Sequence, residues 1–125
     1  MDIALTDREA SLMEVLWEHG PSTVTEVREA LADELAYTTV LTILRNLESK
    51  GLVTHSEEGR AHRYSALVER DAAQQSALRA LTAKLFKGSS ELLLTRLVAD
   101  KKLSDSEIKR IRKLLDEHPT KGDAQ

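Results

Sequence analysis

The stretch TTVLTILRNLESKGLVTHSEEGRAHRYSA, residues 38–66, decides the reading of this chain. Its first half reads as one amphipathic helix from Thr38 to Lys50. Val40, Ile43, Leu44 and Leu47 fall at i, i+3, i+4 and i+7, which at about 100° per residue gathers them into one stripe. The opposite side carries Thr38, Thr42, Arg45 and Ser49, all polar. Gly51 follows as a helix-ending glycine. The second half changes period. Leu52–Ser56 and His62–Ala66 read as strands, and Glu57-Glu58-Gly59-Arg60-Ala61 reads as a hairpin turn built around Gly59.

Working outward, two helices precede this stretch. Thr6 and Glu9 have the spacing of a capping box, and Ala10, Met13, Leu16 and Trp17 follow at helical spacing until His19-Gly20-Pro21 ends the run. Thr23 and Glu26 form a second box, opening a short helix through Val27, Ala30 and Leu31 that should stop near Leu35. Helix, helix, helix, hairpin is the order of a winged helix-turn-helix.

From Glu69 onward the pattern is helical. One helix is expected over about Asp71–Lys87, with Leu78, Leu81, Leu85 and Phe86 apolar; Gly88 breaks it, and Ser89 or Ser90 restarts the chain. Leu92, Leu93, Leu94, Leu97 and Val98 then spread over about 240° of helix surface, too wide for one buried face. A partner chain is the simplest cover. Ser104 and Glu107 form a third capping box, stapled by Leu103 and Ile108, ahead of Ile111, Leu114 and Leu115. Pro119–Gln125 reads as a flexible tail. The expected fold is therefore mainly α: a winged helix-turn-helix of three helices plus a β-hairpin wing over residues 1–68, with a C-terminal helical dimerisation arm over 69–118.

Composition narrows the chemistry. The 125 residues contain no cysteine, which removes disulfides, thiolate metal sites and cysteine nucleophiles together. Aromatics are 3% of the chain, so the core must be built from aliphatic residues. No apolar run approaches the roughly 18 residues of a membrane span. The start MDIALTDREA lacks the basic and apolar regions of a signal peptide, so a cytoplasmic location without membrane insertion is expected. The net charge is −3, divided as −7 over residues 1–36, +1 over 37–68 and +3 over 69–125. This counts against strong non-specific binding to nucleic acid and leaves operator-specific binding open. No catalytic order of Ser, His and Asp, Gly-rich phosphate loop or HExxH occurs, so no enzyme and no cofactor are expected.

Several of these segments together resemble the BlaI/MecI/CopY family of repressors. They are Leu5-Thr6, Glu9, Met13 and Leu16-Trp17; Thr23 to Val27; the run from Ala36 to Leu44 with Leu47 and Lys50-Gly51-Leu52-Val53; Arg63-Tyr64; and Leu103-Ser104 with Glu107-Ile108. The resemblance implies a homodimer whose two winged-helix heads bind a dyad-symmetric operator. TACA/TGTA-type half-sites occur in the beta-lactamase and methicillin-resistance branches. There, repression ends when a membrane sensor-protease, or another protease it commands, leads to cleavage. Three departures are visible. The absence of cysteine excludes the copper-sensing route. The cleaved Asn-Phe bond corresponds here to Arg96-Leu97, so neither proteolytic relief nor a beta-lactam signal carries over. Asn46 stands where the family commonly has Arg.

The candidate DNA-binding residues are Thr38, Thr39, Thr42, Arg45 and Asn46 on the third helix, with Arg60 and Arg63 on the wing. A helix fits the major groove, Arg can pair with guanine, and Thr offers a hydroxyl and a methyl for thymine. The competing reading is a solvated helix face, and the flanking element order favours DNA. Glu57 and Glu58 argue against a wing contact, and since His62 and Arg63 alternate sides, at most one should face DNA. Leu41, Trp17 and Tyr64 read as packing residues. His55 and His62 could pair across the hairpin, with a metal as the less favoured interpretation. The basic run Lys109-Arg110 and Arg112-Lys113 reads as a solvated face. The candidate dimerisation residues are Leu78, Leu81, Leu85, Leu93, Leu94, Leu97, Ile108, Ile111 and Leu115. The expected function is a dimeric repressor of resistance or stress genes, binding double-stranded operator DNA. The alternative is a winged-helix protein-interaction module that binds no specific DNA. A ligand-responsive pocket is a third reading, weakened by the scarcity of aromatics.

Overall fold

A polar residue ahead of each apolar run sets where the first helices begin. In the computed structural model, which describes residues 3–100 and 103–117, Thr6 accepts the N–H of Glu9 at 3.2 Å and Glu9 accepts the N–H of Thr6 at 2.9 Å. This capping box opens α1 (Asp7–His19), which Gly20 ends at φ +79. The helix buries Leu12, Met13, Val15 and Leu16. Ala10, expected in the stripe, is exposed, because the buried face centres on Leu12 and Leu16, about 140° away at 100° per residue. Trp17 is half-buried against the core, and its indole N–H donates to the Val68 carbonyl at 2.9 Å.

Ser22–Thr23 form a short strand, β1, that the sequence reading lacks. Two residues show no alternation; only pairing to residues 63 and 64 makes them a strand. Thr23 then caps α2 (Val24–Ala30) through its own reciprocal box with Glu26. The helix ends at Ala30, short of the expected Leu35. Asp33 and Glu34 would place negative charge at the negative end of a longer helix. Leu31 and Leu35 instead pack on the core from the following loop.

α3 (Tyr37–Ser49) closes with a Schellman arrangement. Gly51, at φ +80, donates to Glu48, and Leu52 donates to Leu47 at 3.0 Å. The chain turns directly into β2 (Val53–Glu58) and β3 (Ala61–Ala66), giving an antiparallel sheet of order β1-β3-β2. The ladder continues to Glu58↔Ala61, so the turn is only Gly59 and Arg60, tighter than the five residues expected. Gly59 takes φ +63, the conformation a two-residue hairpin asks of its first position.

These elements close over one core. Leu12, Met13, Val27, Val40, Leu44, Leu47 and Val53 are fully buried, with Tyr64 beside them. One ion pair joins the start of α1 to the end of α3: Lys50 Nζ donates to the buried Glu9 carboxylate at 2.7 Å and to the Ala4 carbonyl at 3.2 Å. Burial pushes the Glu9 pKa up, but the bonds from Lys50 and the Thr6 N–H outweigh it and hold the carboxyl below its ordinary 4.5.

The chain divides into two units, Met1–Arg79 and Ala80–Gln125. The first takes in the opening turns of α4 (Arg70–Leu85), where Ala73 and Ser76 are buried and Ser76 Oγ accepts the Ile3 N–H at 2.8 Å. Arg70 pairs with Glu14 and Glu18 and lies 5.7 Å from the Trp17 ring centre. The second holds α5 (Ser90–Ala99), capped by Ser89, and α6 (Asp105–Glu117), opened by the Ser104/Glu107 box. The tail expected at 119–125 lies outside the described residues.

Because the folded Glu9 pKa is depressed, its stabilisation is complete above the ordinary pKa and is lost as pH falls through the folded value. Glu9→Gln should cost about 1–2 kcal/mol at neutral pH and progressively less as pH falls below the ordinary 4.5. Urea titrations of both proteins across that acid range read this directly; a cost that does not fall would refute the assignment.

Candidate nucleic-acid interface

α3 presents two unlike faces. Val40, Leu44 and Leu47 have no exposed surface, and Ile43 and Leu41 are half-buried against the same core. Thr38, Thr42, Arg45, Asn46 and Ser49 are exposed, and Thr39 is half-buried at the edge. The polar positions thus share a surface because the apolar stripe leaves them no other orientation. Thr42 donates its hydroxyl to the Thr38 carbonyl at 2.9 Å. With that proton committed, the oxygen is left as an acceptor and the methyl as an apolar contact. Arg45 supplies the donors of a planar fork. Acceptor, methyl and fork on one exposed face are the groups that read base edges in a major groove.

The wing is anchored by the same core. Tyr64 is 1% exposed, so its expected packing role is met, and burial raises its phenol pKa. His55 hydrogen-bonds to Glu48 of α3 through Nδ1 at 2.8 Å and stacks on His62 with ring centres 4.5 Å apart. The two histidines do pair across the hairpin, as a stacked contact. Among the described residues no group of three or more His, Cys, Asp or Glu is placed to hold a metal.

Arg60 is exposed at the turn. Arg63, on the other face of its strand from His62, is already engaged: it pairs with Glu58 and Glu26 and donates to the Pro21 carbonyl. Sequence reasoning missed these partners because they come from three separate elements. The only available signal was the alternation along the strand. The structure therefore brings Thr38, Thr42 and Arg45 together, keeps Asn46 on their flank, and ties Arg63 down by its neighbours.

The candidate dimerisation residues are unevenly exposed. Leu78, Leu81, Leu85, Leu97 and Leu115 are between 41% and 67% exposed, whereas Leu93, Leu94, Ile108 and Ile111 are half-buried. Neither α5 nor α6 buries any residue. No helix among the described residues is long and apolar enough to cross a membrane.

Three helices followed by a hairpin, with a third strand completing the sheet and the third helix exposed along one side, define a winged-helix protein. More specifically, residues 5–117 match the penicillinase repressor family, and the chain belongs to that family. It is 46% identical over 70 residues to the transcriptional regulator BlaI of Mycobacterium tuberculosis, covering 54% of this chain and 51% of that one. The match thus spans about half the length of that relative. It is 24% identical over 116 residues to the penicillinase repressor of Bacillus licheniformis, covering 91% of each. The solution structure of the DNA binding domain of the repressor BlaI superposes with a TM-score of 0.50 at 28% identity, over 56% of this chain and 90% of that domain. A MarR family protein from Bacillus stearothermophilus shares the fold, with a TM-score of 0.55 at 20% identity over 94% of this chain and 78% of that one. The family is one of transcriptional repressors, regulators and not enzymes.

The two faces of α3 make separable predictions. Leu44→Ala should destabilise the protein by about 2–5 kcal/mol, because it opens a void in a dry core. Thr38→Ala and Arg45→Ala should each change stability by less than about 0.5 kcal/mol, as exposed positions do. Chemical unfolding followed by the fluorescence of Trp17 checks both.

Proposed function

We propose that this protein is a dimeric transcriptional repressor that binds a dyad-symmetric operator, each subunit placing α3 in the major groove of one half-site. One observation carries the reading: the exposed Thr38, Thr42 and Arg45 share the outer face of a helix whose inner face, Val40, Leu44 and Leu47, is completely buried. Thr39 and Asn46 flank that face, and Arg60 meets phosphate from the wing tip. The membership of the family and the likeness to a repressor's DNA-binding domain support the assignment. The exposed leucines of α4, α5 and α6 support a second copy as their cover. Two heads on one operator double the contacts without strengthening either, which suits the modest +1 charge of residues 37–68. Repression is then steric, exercised by a cytoplasmic protein on DNA near its own gene. With no cysteine in the chain, copper sensing through thiolates has no place in it. Arg96-Leu97 in α5 offers no Asn-Phe bond for a protease to cut.

Fluorescence anisotropy on the protein's own upstream DNA, against a scrambled duplex and across a salt series, tests the proposal. Binding should be selective, with two chains per dyad, and Thr42→Ala/Arg45→Ala should weaken it on the order of 100-fold. Sedimentation should give twice the 13.9 kDa chain mass, and Leu97→Glu should shift it towards the monomer. Equal, weak binding to both duplexes, unchanged in the double variant, would sink operator recognition at this locus and favour a protein-interaction module.

A further inference from the structure

Arg63 lies in β3 opposite Ser56 on one side and Thr23 on the other. Its Nε donates to Glu58 Oε2 at 2.9 Å and its Nη2 to Glu58 Oε1 at 3.0 Å, a planar fork on a planar carboxylate. Its Nη1 donates to the Pro21 carbonyl at 3.0 Å and to Glu26 Oε1 at 3.1 Å. That same Glu26 oxygen accepts the Thr23 N–H at 2.9 Å, so it belongs to the cap of α2. One guanidinium therefore ties the end of β2, the turn before β1 and the first turn of α2 together.

The identity of the tied residue matters. Glu58 is the last residue of β2, directly before Gly59 and the exposed Arg60. A carboxylate free at that point would stand beside the turn and repel phosphate. The fork from Arg63 keeps the Glu58 carboxyl ionised, holding its pKa below the ordinary range, and matches its charge in place. Glu57 alternates to the other face of the strand, in register with His62. Of the two wing acids, it is Glu58 that this fork holds.

Given the operator-binding role proposed above, on which this rests, we infer that Arg63 is a positioning residue: it clamps the wing to α2 and neutralises Glu58, so that Arg60 can meet the DNA backbone. The acids that argue against a wing contact are then accounted for in part. Arg63 thus serves the DNA through Arg60, its own donors being held by Glu58, Glu26 and Pro21.

The test uses the full chain with Arg63→Gln, Glu58→Gln and the double variant, each checked for an unchanged unfolding midpoint. Arg63→Gln should weaken selective binding about tenfold by releasing a carboxylate at the wing tip. Adding Glu58→Gln should restore binding to within about threefold of wild type, whereas Glu58→Gln alone should bring no gain. A phosphate contact by Arg63 itself predicts the reverse: no rescue, and a salt slope lower by about one per subunit in both Arg63 variants. That result would overturn the inference. Amide hydrogen exchange of the free protein supplies a second reading that needs no DNA. The clamp predicts faster exchange across the hairpin in Arg63→Gln, with α3 unchanged, and an unaltered hairpin would overturn it. A wild-type protein that ignores its upstream DNA would count against the operator reading, with the clamp still decided by exchange.

Discussion

The head depends on one constraint: the stripe Val40, Leu44 and Leu47 must stay dry. All three lie fully buried among residues from α1, α2 and the sheet, so rotating α3 would expose apolar surface. That fixed orientation places Thr38, Thr42 and Arg45 outward without any polar interaction having to hold them there. The proposed recognition surface is thus a by-product of core packing. It also explains why the C-terminal end of α3 is so carefully fastened. The Schellman turn at Gly51 and the Lys50–Glu9 pair stop the helix from sliding along its axis, a movement that a uniform apolar stripe resists only weakly.

Electrostatics then refines what packing has placed. The first third of the chain is strongly acidic, yet several of its carboxylates are committed locally. Glu9 and Glu26 each accept a backbone N–H at a helix start, where the helix dipole favours negative charge. Glu26 also faces Arg63, and its pKa lies below the ordinary range, first through the Thr23 N–H and then through that arginine. Glu14 and Glu18 face Arg70. An acid count taken along the sequence therefore overstates the repulsion a phosphate backbone would meet. What matters is which carboxylates remain unmatched near α3.

The parts of the fold legible in the sequence were those encoded within a few residues. The three capping boxes at Thr6, Thr23 and Ser104 formed as spaced, and the α3 stripe buried the expected side. What escaped depended on partners distant in the chain. Ser22–Thr23 is a strand only because Arg63 and Tyr64 lie alongside. The exposure of Ala10 follows from where α1 meets the rest of the core, which its own periodicity leaves ambiguous among neighbouring rows. α2 ended early because Leu31 and Leu35 find core contacts from a loop, so a helix was unnecessary to bury them. For the candidate site the same division holds: the outer face of α3 was legible, while the four hydrogen bonds of Arg63 were invisible.

The C-terminal helices pose the opposite problem from the head. The head has enough apolar residues to fill a core with almost no aromatic side chains, because every helix in it has a sheet or another helix on its inner side. α5 and α6 bury no residue, although α5 is apolar around most of its circumference. Helices of this length gain little from propensity alone and are held mainly by packing. Leu97 and Val98, both half exposed, and Leu115, at 58%, would be costly to leave in water on a segment with no fully buried residue. A second copy offering the same surface removes that cost by symmetry, since an isologous interface pairs each apolar patch with its own kind. The proposed dimer thereby explains the arm and the head together: the symmetry that would cover the leucines is the symmetry by which two copies of α3 would address a palindrome.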